Sequence, residues 1–235
     1  MVGVFRSKKE ENVLKGIRLF EPFSKEELGN ICKIGGPTAI QGMVYCMISM
    51  VLTRMVAAFG AEAIATQRVG GQIESVSWNT ADGFAAALNA FVGQNYGAKK
   101  MDRVQEGYRI SFWTVAIWGA LIMLAFIIFP GPIAGVFFHE EKAMEIAISY
   151  LIIIGFSEAF MCVELMTIGA LSGLGKTKLC SVISITATSM RIPLAMVLSR
   201  TSLGLDGIWW ALTLTSVAKG IIFYLTFRYQ MREKC

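Results

Sequence analysis

The chain has 235 residues, of which 54% are hydrophobic and only 17% charged, and its mean hydropathy is +0.56. Soluble domains carry about 25% charged residues, so this composition excludes an ordinary water-soluble globule. The net charge of +5 does not indicate a nucleic-acid partner, because the basic residues sit between apolar blocks and are not gathered with aromatics on one face or run.

Residues 1–33 are polar and amphipathic. Ser24 with Glu27 three positions later forms a capping box, flanked by Phe23 and Leu28 as a hydrophobic staple, and predicts a short helix there. Met1 to Glu11 offers no apolar h-region and no small-residue cleavage site, so membrane insertion is expected to rely on the first span. A hydrocarbon core about 30 Å thick needs roughly 20 apolar residues per helical span, and six blocks of that order follow. They run from Ile34 to Phe59, Ala61 to Gly93, Ile110 to Pro130, Ile146 to Leu171, Leu179 to Leu198, and Gly207 to Phe227. Gly60, Gly97-Ala-Lys99-Lys100, Pro130-Gly-Pro132, Gly173-Leu-Gly175-Lys176 and Gly204-Leu-Asp206-Gly207 separate them as turn signals. The expectation is an all-α polytopic membrane protein: a cytoplasmic linker over 1–33, a six-helix transmembrane lobe over 34–228, and a cytoplasmic tail over 229–235.

Basic residues set orientation when they lie in short loops near span ends. Most of the 22 Lys and Arg fall in residues 1–33, in Lys99 to Arg109, at Lys176 and Lys178, and in Arg228 to Lys234. The alternate loops hold only Lys142 and Arg200. This partition predicts a protein integral to the cytoplasmic membrane with both termini on the cytoplasmic side.

Ionisable side chains within a span are costly and are functional candidates by default. In the second span Arg68, Gly71, Gln72, Ser75, Asn79, Asp82, Ala86, Asn89 and Gly93 follow helical steps and share a face, which predicts a helix whose polar side meets partner helices or a water-filled cavity. Glu74 lies beside that stripe, near Gln67, Gly71 and Trp78. In the fourth span Glu164 aligns with Ser157, Met161, Thr167 and Leu171, while Glu158 is off that line. The fifth span carries Ser181, Ser184, Thr188 and Arg191 before Pro193, and the sixth places Lys219 on a face with Leu212 and Ser216. Helix glue through pairs such as Arg68 with Asp82 would explain part of this set, but Gly, Ser and Thr suffice for adhesion. The whole set favours a cavity. A carboxylate in a partly dehydrated cavity can exchange a proton for a cationic ligand, which is the chemistry of antiport.

Other signals carry less. Gly173-Leu-Gly175-Lys176-Thr177 suggests a phosphate loop, but its first glycine would be residue 170, which is Ala170, and a hydrophobic helix precedes it. His139 is the only histidine and sits in a loop beside Glu140 and Glu141, so neither a catalytic triad nor an HExxH metal site can be assembled, and no enzyme is expected. The five cysteines show no metal or disulfide spacing. The 13 methionines suit an adaptable apolar pocket or plain packing.

Ile64-Ala-Thr-Gln-Arg-Val-Gly-Gly-Gln-Ile-Glu74-Ser, and Gly83-Phe-Ala-Ala-Ala-Leu-Asn-Ala-Phe-Val-Gly93-Gln94-Asn-Tyr-Gly97-Ala98 after it, resemble the second helix of a lobe in the multidrug and toxic compound extrusion (MATE) family. Glu164-Leu-Met-Thr-Ile-Gly169-Ala-Leu-Ser-Gly173-Leu-Gly175-Lys-Thr177 resembles the end of that family's tenth helix, and Arg191-Ile-Pro193-Leu-Ala is similar to its next one. The resemblance implies one of two six-helix lobes around a central cavity, with drug leaving in exchange for protons or sodium. The polar segment leading into Ile34-Gly35-Gly36-Pro37 resembles the linker before the seventh helix and so marks the C-terminal lobe. Where several bacterial members carry an acid in the seventh helix, this chain has Gln41 and Tyr45, with Arg54 further on.

The resemblance implies an antiporter exporting amphipathic or cationic compounds by alternating access. Glu164, Glu74, Asp82 and Glu158 are the candidates for ion or cation binding, Gln41, Asn79 and Thr167 for polar cavity lining, and Arg68 and Arg191 for charge balance. No cofactor is expected beyond the coupling H+ or Na+, the latter at the same carboxylates. A second six-helix lobe, as a separate chain or a second copy, is the expected partner. Two alternatives are a flippase of lipid-linked sugars, which would turn Arg54, Arg68, Arg191 and Lys219 inward, and a non-transporting membrane subunit or fragment.

Overall fold

The structure, a computed structural model, describes residues 25–232. Ser24 of the capping box and the tail beyond Arg232 lie outside the described residues. In chain order the helices are α1 (Lys25–Ala57), α2 (Ala61–Gly97), α3 (Met101–Ile128), α4 (Pro130–Gly135), α5 (Glu141–Gly173), α6 (Thr177–Ser189), α7 (Arg191–Ser199) and α8 (Leu205–Arg232). Among the described residues, five segments are long and apolar enough to cross a membrane: Gly35–Ala57, Met101–Ile128, Glu141–Gly173, Thr177–Ser199 and Leu205–Arg232. α2, the longest helix at 37 residues, completes the six-helix lobe; its polar stripe holds it below the apolarity of the others.

The turns fall where backbone chemistry requires them. Gly60, Gly175 and Gly204 take positive φ, as does Lys99 at 58°. After α5 the Lys176 amide donates to the Leu171 carbonyl at 2.9 Å, the six-to-one bond that closes a helix over a left-handed residue. Gly175 therefore terminates a helix and has no part in a phosphate loop.

Two helices depart from the sequence reading. α1 is continuous from Lys25 through Pro37, so the boundary expected between linker and first span lies inside one helix. Pro37 removes only its own amide, leaving the other bonds of the ladder in place. The fifth span is split into α6 and α7 at Met190. Pro193 cannot donate to the carbonyl of Ser189, four residues back, and that residue is where α6 ends.

α5 is the axis of the lobe and packs along α2, α3 and α8, while α1 leans on α6 and α7 on α8. It is apolar on every side, as a central helix must be, and most of its length from Tyr150 to Leu171 is buried. Lipid tails are as apolar as leucine, so close backbone approach and not water exclusion holds such helices together. Gly169 is the clearest case, because a Cβ there would overlap the Ala85 carbonyl of α2. Gly169→Val is expected to destabilise the lobe by about 1–3 kcal/mol or more through overpacking, read as a lowered midpoint in thermal unfolding of the solubilised chain.

Candidate functional site

The buried face of α2 carries Ala63, Thr66, Gly70, Glu74, Ser77, Ala81 and Ala85. Its small side chains let the helix approach α5 closely, and the same helical steps carry Glu74 into the interior. Gly70 leaves room for the Tyr150 ring, which any Cβ at that position would overlap. Tyr150 is held edge-on against Trp209, with centroids 5.0 Å apart, and donates its hydroxyl to Glu74 Oε1. One side of this pair is formed by Glu158, which is 0% exposed. Neither of its carboxylate oxygens has a hydrogen-bond partner among the described residues. Beside it the Ser77 hydroxyl meets the Cys162 thiol at 3.2 Å, and Glu74 is close enough to act on Glu158 electrostatically.

Two turns further along α5, Glu164 Oε1 accepts from Lys219 Nζ of α8 at 2.8 Å, both side chains under 10% exposed. The second oxygen of Glu164 is buried without a hydrogen-bond partner among the described residues. Arg191 opens α7 at the break after α6, where its buried guanidinium donates from Nε to Thr215 at 3.0 Å and from Nη2 to Ser216 at 2.9 Å. No carboxylate among the described residues forms an ion pair with it. The break created by Pro193 thus turns a cation toward α8 in mid-membrane.

Glu74, Tyr150, Glu164, Lys219 and Arg191 border two adjoining cavities. The larger, about 650 Å³, is lined by Tyr45, Gln67, Arg68, Gln72, Glu74, Trp78, Tyr150 and Arg191 among others. The smaller, about 240 Å³, reaches Gln41, Glu164, Ser184, Thr188 and Lys219, and shares Tyr45, Trp78, Met161, Arg191 and Ser216 with the first. Two carboxylates, Glu74 and Glu164, and three cations, Arg68, Arg191 and Lys219, therefore meet in a space of mixed polarity between α1, α2, α5, α6, α7 and α8.

Of the residues singled out from sequence, Glu74, Glu164, Gln41, Arg68 and Arg191 line these cavities, and Glu158 lies behind Glu74. Asp82 and Asn79 do not line them; both are exposed on the outer face of α2, and Arg68 does not pair with Asp82. Thr167 is buried in the α3–α5 seam, bonded to the Tyr108 hydroxyl at 3.0 Å, because its helical step turns it away from α1. Arg54 is exposed outside both cavities. Sequence reasoning missed Tyr150 as the partner of Glu74, since nothing in its spacing marks it, and missed Lys219 as the partner of Glu164. The latter signal was present, as both are lone charges in mid-span.

A membrane-spanning helical lobe with buried carboxylates and cations around open cavities is built as more than a lipid anchor. The chain belongs to the MatE family, whose profile matches residues 37–197. It is 28% identical over 211 residues to the probable multidrug resistance protein NorM of Thermotoga maritima, covering 86% of this chain and 45% of that protein. With the probable multidrug resistance protein YoeA of Bacillus subtilis it shares 24% over 222 residues, covering 94% and 48%. Among solved structures, the Vibrio cholerae MATE transporter VcmN in the bent form superposes with a TM-score of 0.82 at 21% identity, covering 90% of this chain and 48% of that one. A MOP superfamily transporter from Pyrococcus furiosus, described as having reverse polarity of its binding pocket, gives 0.82 at 21%, covering 93% and 50%. At these identities the structural likeness shows the fold. The chain spans about half the length of the curated relatives it matches.

Proposed function

We propose that this chain forms one half of an ion-coupled exporter of amphipathic, cationic compounds. The observation that carries the reading is the trio Glu74, Glu158 and Glu164 inside a membrane-spanning bundle, of which only Glu164 forms an ion pair among the described residues. Ionised carboxylates without partners are costly in a dry interior, so these positions call for a proton or a cation, the two species an antiporter exchanges. The names of the relatives support multidrug compounds as the substrate class. The basic loops at one end of the lobe support cytoplasmic termini.

A second lobe is part of the proposal. The stripe Arg68, Gly71, Gln72, Asn79, Asp82, Ala86 and Asn89 is exposed along α2, and polar groups of that kind face protein or water-filled cavities and not lipid tails. A matching lobe would cover it, as a separate chain or a second copy. The flippase reading has partial support, because Arg68 and Arg191 line the larger cavity and Lys219 the smaller. Glu74 and Glu164 offset two of these three cations, and the names of the relatives favour drug export over lipid-linked sugars.

Ethidium accumulation in cells lacking their own exporters tests this, with the chain expressed alone and joined to the N-terminal half of the Thermotoga maritima relative. Uncoupler-sensitive lowering by the chain alone supports a homodimer. Lowering only by the fused form supports a missing lobe. If neither form lowers accumulation despite membrane insertion, export is the wrong reading.

A further inference from the structure

Away from the transport cavities, a groove of about 660 Å³ opens between the start of α3 and the end of α8. The two helices do not pack closely along their length. Aromatic rings bridge them: Tyr108 stacks on Phe227 at 3.7 Å between centroids, and Phe112 meets Tyr224 at 5.2 Å. These rings form the floor. Three arginines, Arg109, Arg228 and Arg232, stand on the walls, all exposed, and Arg228 is steered inward by the Tyr224 hydroxyl at 3.3 Å. Asp102 and Glu106 line the same groove, leaving an excess of one positive charge.

The geometry points to a binding site for an anionic phospholipid, its phosphate on the arginines. Three features select this occupant. The groove lies at the end of the lobe that carries Lys99, Lys100, Lys176 and Lys178, which basic loops assign to the cytoplasmic leaflet, where anionic lipids concentrate. Trp113 lines it, and indole rings favour the boundary between headgroup and hydrocarbon. Above Trp113, the large apolar residues Ile117, Leu121, Leu124 and Ile128 are exposed along one stripe of α3, at helical steps that continue the wall of the groove. An acyl chain can follow that stripe from the headgroup into the bilayer, which free phosphate or a soluble anion cannot exploit.

The test is native mass spectrometry of the full chain in detergent, titrated with dioleoyl phosphatidylglycerol and, separately, dioleoyl phosphatidylcholine. Phosphatidylglycerol is expected to bind about tenfold more tightly. The triple variant Arg109→Gln, Arg228→Gln, Arg232→Gln is expected to lose that preference. Because these side chains are exposed, its thermal midpoint should stay near that of the parent. The control Lys99→Gln, Lys100→Gln removes charge at the same end outside the groove and is expected to keep the preference. Equal binding of the two lipids overturns the proposal, as does a preference that survives the triple variant or falls equally in the lysine control. Should the triple variant unfold, quenching decides: brominated phosphatidylglycerol must quench the parent more than Trp113→Phe, and equal quenching overturns the site.

Discussion

Lys219→Met is expected to lower the stability of the folded chain by about 3–5 kcal/mol, because it leaves the Glu164 carboxylate buried without its cation. The pair is held at 2.8 Å with both side chains nearly inaccessible, and Coulomb attraction at that distance is strong wherever water is excluded. The pair as a whole contributes far less than its breakage costs, since both charges also lost their hydration on burial. The double variant Glu164→Gln, Lys219→Met should therefore recover most of the loss, and the coupling between the two substitutions should reach about 3 kcal/mol. Cys162 and Cys180 are free and buried, so the rate at which a maleimide dye labels them on heating reports unfolding. The exposed Cys32 and Cys46 label at once and set the baseline. Additive losses in the double variant would mean that water in the adjoining cavity already screens the pair.

The membrane architecture was legible because the bilayer leaves few choices. Apolar blocks of span length, separated by glycine and basic residues, must become helices, and all the turn signals between them fall at helix ends. The break in the fifth span was not legible, because Pro37 and Pro193 both lie inside apolar blocks read as single spans. Pro37 stands inside one continuous helix, whereas α6 ends four residues before Pro193. The polar stripe of α2 was visible as a stripe, yet its orientation was not. Most of it faces out of the lobe, while the neighbouring line through Gln67, Gly71, Glu74 and Trp78 turns toward the cavity. Pairings were the least legible feature. Tyr150 with Glu74 and Lys219 with Glu164 join residues 76 and 55 positions apart, so they depend on which helices the close glycine contacts bring together.

Glu158 permits the sharpest separation of structure from function. In a complete two-lobe assembly, Glu158→Gln is expected to abolish most uncoupler-sensitive ethidium efflux, a reduction of about five- to 150-fold if it carries the coupling ion. The same substitution should leave the fold as stable as before or more so, because it removes a buried carboxylate whose oxygens lack a close hydrogen-bond partner among the described residues. Natural proteins retain destabilising groups of this kind where activity requires them. Tyr150→Phe provides the comparison. It deletes only one donor to Glu74, a loss of about 1.5–3 kcal/mol for a hydrogen bond to a charged group, and should weaken efflux less than Glu158→Gln while lowering stability. Efflux and thermal midpoint measured together in these two variants distinguish the roles. If Glu158→Gln lost stability and kept its efflux, Glu158 would be a structural group with an unseen partner, and the coupling site would have to lie at Glu164 or in the other lobe.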